Sequence, residues 1–164
     1  MKICGIVGWK NSGKTALVER LIQEFIVRGI SVSTIKHAHH HASIDYPGTD
    51  SFRHRKAGAR EVLLATSKGW ALMHQSIERK TPTLGELVSR INPVDLILVE
   101  GFKKENHPKI EAFRGINNLE PIALSDKTVL GIASDSTLQN VADKPIFPLD
   151  DIPSISDFII TKVL

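Results

Sequence analysis

The eight residues Gly8-Trp9-Lys10-Asn11-Ser12-Gly13-Lys14-Thr15 constrain this chain more than any other segment. They spell G-x-x-x-x-G-K-T, and their flanks are as informative as the pattern itself. The preceding Lys2-Ile3-Cys4-Gly5-Ile6-Val7 is short and almost wholly apolar, as expected for a strand buried on both faces of a parallel sheet. The following segment places Leu17, Val18, Leu21, Ile22, Phe25 and Ile26 at helical spacing before Gly29, which predicts a helix over Lys14 to Arg28. A glycine-rich turn between strand and helix lets backbone N–H groups curl around a phosphate, where the helix dipole favours negative charge. On this reading Gly8, Lys10, Asn11, Ser12, Gly13, Lys14, Thr15 and Ala16 bind a nucleotide. Lys14 reaches the β- and γ-phosphates, and the Thr15 hydroxyl helps to hold Mg²⁺. Lys10 is either a third positive group in the loop or a solvated one.

A phosphate loop of this kind needs a carboxylate on the metal side, at the end of a nearby strand. Asp95-Leu96-Ile97-Leu98-Val99-Glu100-Gly101 offers two. Five steps of strand cover roughly 17 Å, so Asp95 and Glu100 lie at opposite ends. Ligands bind beyond the carboxyl ends of parallel strands, which selects Glu100 as metal ligand and catalytic partner of Lys14. Asp95 is then structural, and Gly101 lets the backbone approach the γ-phosphate.

The remaining pattern alternates strand and helix. Ile30 to Lys36 completes a βαβ unit. A short helix is predicted over Asp50 to Ala57 with Asp50 as N-cap. Glu61 to Thr66 and Trp70 to Gln75 flank Ser67-Lys68-Gly69 as a three-residue hairpin, an insertion whose apolar residues could supply an oligomer contact. Helices are predicted at Leu84 to Ile91 and Ile152 to Val163, and strands at Val94 to Val99, Ile110 to Phe113, Val129 to Ala133 and Pro145 to Leu149. The implied fold is α/β, a P-loop NTPase three-layer sandwich with a mostly parallel sheet and an inserted β-hairpin. With 164 residues, 41% hydrophobic and 24% charged, residues 1–164 are read as a single nucleotide-binding domain rather than a disordered or coiled-coil chain. Apolar runs such as Leu96 to Val99 fall far short of the roughly 20 residues that span a bilayer. Ile3 to Val7 runs into Gly8-Trp9-Lys10 without a leader-like cleavage segment. The lone cysteine, Cys4, forms no internal disulfide, so a cytoplasmic location is expected. A net charge of +3 suits an anionic ligand without arguing for nucleic acid, and no nucleic-acid or membrane partner is expected.

Four histidines, His37, His39, His40 and His41, follow the second strand. They could bind a transition metal, or belong to a switch-like segment whose Asp45 approaches the metal ion through water. Arg53, His54, Arg55 and Lys56 could hold a second anion or be a solvated helix face, and Lys103, Lys104 and Lys109 could extend a positive rim. His37, Arg53 and Lys103 thus mark a candidate second-anion or partner surface. Phe25, Phe113 and Phe158 are read as core, and Trp70 and Met73 as core or interface.

The phosphate loop resembles that of the MobB family when taken with Lys36-His37-Ala38-His39-His40, Asp45-Tyr46-Pro47-Gly48-Thr49-Asp50-Ser51, Arg55-Lys56-Ala57-Gly58-Ala59, Trp70-Ala71-Leu72-Met73 and Leu96-Ile97-Leu98-Val99-Glu100-Gly101-Phe102-Lys103. The likeness runs to Ala133-Ser134-Asp135. The resemblance implies a GTP-binding adaptor in molybdopterin guanine dinucleotide synthesis that is a homodimer with an extended sheet. It also implies weak GTP hydrolysis and partnership with the MobA nucleotidyltransferase. Molybdopterin carries a phosphate, so the positive rim is a candidate docking surface for that molecule or for its enzyme. GTP and Mg²⁺ are the cofactors it implies. The strand ending in Ser134-Asp135 offers a carboxylate that could accept both N1–H and the N2 amine of guanine, a donor pair adenine lacks. The N/T-K-x-D signature of many GTPases is absent. Asp135 could equally cap the segment from Ser136, with Asp150 or Asp151 as rival base readers. An ATP-dependent small-molecule kinase or ligase is the alternative function on this fold.

Overall fold

A computed structural model describes residues 1–38, 45–76, 81–138, 141 and 143–164. It divides into two compact units, Met1–His37 with Leu84–Leu164, and Ala38–Thr83.

The larger unit is built on a six-stranded sheet in the order β2-β5-β1-β6-β7-β8. The strands are β1 (Lys2–Val7), β2 (Val32–Lys36), β5 (Leu96–Glu100), β6 (Lys109–Phe113), β7 (Val129–Ser134) and β8 (Ile146–Pro148). Every pairing is parallel. β5 is wholly apolar before Glu100 and its first four residues are buried, which is why a continuous apolar run rather than an alternating one marks a central strand. The helices α1 (Lys14–Val27) and α4 (Ile152–Val163) cover one face. Their Leu17, Leu21, Phe25, Ile155 and Ile159 pack with Cys4, Ile6, Leu96 and Leu98 in one core cluster. Burial of a side chain such as Leu21 or Phe25 contributes about 2–3 kcal/mol each. The opposite face is covered by α3 (Leu84–Val88), whose Leu84 and Leu87 pack on Ile97 and Val99, and by the 3-10 turn at Ile122–Leu124, whose Ala123 packs with Val7, Val129 and Ile132. This is the expected three-layer α/β sandwich.

α3 is shorter than the predicted Leu84 to Ile91. Its end tightens, the Arg90 and Ile91 N–H groups donating to the third residue back (Leu87 and Val88 carbonyls) instead of the fourth. Asp95 is structural, as expected. Its Oδ2 accepts both the Ser31 N–H at 2.8 Å and the Ser31 hydroxyl at 2.5 Å, and these bonds hold its pKa below the usual carboxylate value. Phe25 and Phe113 are buried, and Phe158 packs on Phe147 with ring centroids 5.3 Å apart.

The smaller unit holds α2 (Asp50–Lys56) and an antiparallel hairpin of β3 (Glu61–Thr66) and β4 (Gly69–His74). Thr49, not Asp50, caps α2, its hydroxyl oxygen accepting the Phe52 N–H at 3.2 Å. The predicted three-residue hairpin is a two-residue one, because Thr66 pairs with Gly69 and leaves only Ser67 and Lys68 in the turn. Val62 and its cross-strand partner Met73 are buried, whereas Leu63, Leu72 and Trp70 stay 45–66% exposed. No helix among the described residues is long and apolar enough to cross a membrane.

Candidate functional site

The parallel register aligns the carboxyl ends of the strands. Lys36 and Ile6 each pair with Glu100, and Phe113 pairs with Ser134. The residues that follow those ends (Gly8 to Thr15, Gly101, Arg114 and Asp135) therefore emerge on one edge of the sheet.

The phosphate loop leaves β1 through Gly8 at φ +150°, where an added Cβ would lie 2.3 Å from the Ala112 carbonyl oxygen and 2.4 Å from Ser12 Oγ. Only glycine fits there. α1 begins after Gly13 with no side-chain cap, unlike α2 with Thr49 and α4 with Asp151. Its leading N–H groups are thus left to an anion. Ser12 is buried, while Asn11, Lys10 and Ala16 are exposed. Lys14 is half-buried and donates from Nζ to the Trp9 carbonyl at 2.6 Å. Burial and the neighbouring Lys103 ammonium push its pKa below the ordinary lysine value; Glu100 opposes this and Lys36 adds to it. A lysine so placed gains when a polyphosphate supplies the missing negative charge.

Thr15 Oγ1 donates to Glu100 Oε1 at 3.0 Å, and Lys36 Nζ lies 3.3 Å from Thr15 Oγ1 and 3.2 Å from Glu100 Oε2. A hydroxyl and a carboxylate brought together are hard oxygen donors of the kind Mg²⁺ takes, and the ammonium bridging them marks a place that accepts positive charge. The residues fit the ion. A cleft of about 390 Å³ is lined by Asn11, Gly13, Lys14, Thr15, Glu100 and Arg114, among others. Lys36 and Arg114 are the site residues that sequence reading passed over. The signal available for both was position, since each ends or directly follows a strand that neighbours the phosphate-loop strand or Glu100's.

Asp135 borders a second cleft of about 680 Å³, walled by Ser134, Ser136, Phe147, Leu149 and Asp150. Its Oδ1 accepts the Gly115 N–H at 3.0 Å and its Oδ2 lies 3.9 Å from Arg114 Nε. Of the rivals, Asp151 accepts the Ser154 N–H as the cap of α4, and Asp150 pairs with Arg20 at 2.5 Å. The Ser136 segment is tied by its own N–H to Ser134 Oγ at 3.1 Å rather than capped by Asp135.

Other candidates find different roles. The His37 ring stacks on Phe102 at 4.5 Å, and the His37 backbone N–H donates to the Glu100 carbonyl at 2.9 Å. Lys103 Nζ sits 4.3 Å over the Trp9 ring, within the electrostatic reach of Lys14. Lys109 is no part of a positive rim. It is buried, with Nζ donating to the Glu105 carbonyl, Asp126 and Thr128. In the smaller unit Asp45 Oδ1 accepts from the Tyr46 N–H and the Thr49 and Ser51 hydroxyls, and Arg55 Nε lies 3.5 Å from Oδ2. That carboxylate organises the start of α2. Arg53 pairs with Asp50 at 3.6 Å on an exposed face. His39, His40 and His41 lie outside the described residues.

Fold and site together define a P-loop α/β protein. Residues 3–135 match the family model of molybdopterin guanine dinucleotide synthesis protein B, MobB. The chain belongs to the MobB family. It is 40% identical to a molybdopterin-guanine dinucleotide biosynthesis adapter protein of Haemophilus influenzae, over 96% of this chain and 86% of that one. It is 37% identical to the corresponding adapter protein of Escherichia coli, over 96% and 91%. The fold agrees with the crystal structure of Bacillus subtilis MobB at a TM-score of 0.77 and 24% identity, covering 100% of this chain and 99% of that one. It agrees likewise with a MobB homologue from Bacillus stearothermophilus, at 0.73.

Proposed function

We propose that this chain is a Mg²⁺-dependent GTP-binding adaptor that assists the conversion of molybdopterin to molybdopterin guanine dinucleotide, acting as a homodimer beside a MobA-type nucleotidyltransferase. One observation carries the reading: in a MobB-family chain, an uncapped phosphate loop with a half-buried Lys14 stands beside the 3.0 Å Thr15–Glu100 contact. Gly8 to Thr15 wrap the phosphates, and Lys14 leaves the Trp9 carbonyl for the β- and γ-phosphate oxygens. Thr15 and Glu100 hold Mg²⁺, which when bound neutralises phosphate charge. Asp135 faces the base; each of its oxygens keeps acceptor capacity beyond the Gly115 N–H, enough for the two guanine donors. Hydrolysis is weak, because no glutamine lines the phosphate cleft among the described residues to orient a water.

Calorimetric titration of wild type and Lys14→Ala with Mg·GTP and Mg·ATP tests this. GTP should bind, ATP should bind at least tenfold more weakly, and the variant should lose affinity by about 10–100-fold, as expected for a charge-assisted contact. Preference for ATP would favour the kinase or ligase alternative, and silence with both nucleotides would end the nucleotide reading.

A further inference from the structure

Arg114 follows β6, the neighbour of β1, and its side chain turns back onto the phosphate loop. A Cβ built on Gly13 would lie 3.3 Å from its Nε and 3.5 Å from an Nη, so the guanidinium rests against the residue that opens α1. It lines the same cleft as Lys14, Thr15 and Glu100. Lys14 of that cleft is already engaged by the Trp9 carbonyl, and Lys36 beside it by Glu100. The Arg114 guanidinium is different. Its nearest acid, Asp135, stands 3.9 Å from Nε, beyond hydrogen-bond length. Among the described residues no other acceptor reaches its five N–H donors. Both side chains stay a little over two-fifths exposed, open to a ligand.

We propose that Arg114 is a polyphosphate-binding residue of this site, with Asp135, itself fixed by the Gly115 N–H, as the residue that positions it. A planar fork of donors beside a helix N-terminus suits two oxygens of adjoining phosphates better than a single ammonium does. The 3.9 Å spacing aims the guanidinium without satisfying it, so an incoming phosphate displaces no strong bond. The inference rests on the nucleotide reading above and adds to it a cation contributed from outside the loop.

The test is titration of Mg·GTP and Mg·ATP into wild type, Arg114→Ala, Arg114→Gln, Arg114→Lys and Lys14→Ala, with thermal unfolding of each in the absence of nucleotide. Both neutral variants should weaken Mg·GTP about 10–100-fold, keep the wild-type GTP-to-ATP ratio and unfold within a few degrees of wild type, while lysine restores part of the loss. Should Arg114→Ala misfold, Arg114→Gln decides alone, since its longer chain keeps packing and removes charge. Wild-type affinity in the neutral variants, while Lys14→Ala loses binding, overturns the role of Arg114 and leaves the nucleotide reading standing. Absence of binding by the wild type overturns both.

Discussion

The Thr15 hydroxyl meets Glu100 across 3.0 Å and thereby ties the first turn of α1 to the end of β5. Eighty-five residues separate the two in sequence, yet parallel pairing of β1 with β5 leaves no other acid at that edge of the strand. Glu100→Gln keeps an oxygen for Thr15 and removes the charge that pairs with Lys36 and that the proposed Mg²⁺ would share. The Mg²⁺-dependent part of GTP affinity should fall about 10–100-fold, while binding in the presence of a chelator should change less than about threefold. Paired titrations with and without magnesium separate the two terms. Equal loss in both would show that Glu100 acts on the fold and not on the metal.

The backbone of this site was legible because its signals are local. Gly8 and Gly13 meet steric demands that only a loop of this geometry imposes, and the apolar runs of β1 and β5 announce burial on both faces. Strand direction alone then separated Glu100 from Asp95. What sequence could not give were pairings decided in three dimensions. Lys109 reads as one more basic residue after Lys103 and Lys104, but the bulge between Lys109 and Ile110 and its acceptors Asp126 and Thr128 draw it inside. Asp45 reads as a metal-side acid, and no spacing announces that its Oδ1 accepts from Tyr46, Thr49 and Ser51. Arg114 carries no motif at all; β6 must be set beside β1 before its side chain can be seen to face Gly13.

Asp135 should decide which base is preferred. A carboxylate can accept both N1–H and N2–H of guanine, whereas the amide of Asp135→Asn turns one of its two positions into a donor. The variant is expected to lower the GTP-to-ATP affinity ratio by at least tenfold, mostly through weaker GTP binding. Competition of the two triphosphates for a fluorescent nucleotide gives the ratio directly. An unchanged ratio would send the base elsewhere along the cleft between Ser134 and Asp150.

His107 predicts an acid limb in the stability curve. The residue is 93% buried, its ring against Gly5, where an added Cβ would come within 2.5 Å of Nε2, and among the described residues neither ring nitrogen has a hydrogen-bond partner. Burial first, then the Lys109 ammonium, lower its pKa to about 4 despite Asp126. Above pH 6.5 neither the folded nor the unfolded chain is protonated there, so the contribution is complete. As pH falls below 6.5 the unfolded chain takes up a proton that the folded chain refuses until about pH 4. Stability should drop across that window by up to about 3 kcal/mol. Urea unfolding at several values between pH 7.5 and 4 measures the slope, and His107→Phe should flatten it.

The hairpin predicts how copies of this chain associate. Pairing of Leu63 with Leu72 and of Ala65 with Trp70 puts these four residues on one face of the two-stranded sheet, while buried Val62 and Met73 occupy the other. Leu63, Leu72 and Trp70 are 61%, 45% and 66% exposed, a concentration of large apolar side chains that a free surface rarely presents in one patch. A second copy burying that patch would remove apolar area worth about 25 cal/mol per Å². Trp70→Glu with Leu72→Lys introduces charge on exposed positions, so each protomer should stay folded while the dimer is lost. Sedimentation at micromolar concentration should shift from dimer to monomer, with GTP affinity of the protomer within about twofold of wild type. A double variant that sediments as wild type would place the dimer contact outside this face of the hairpin.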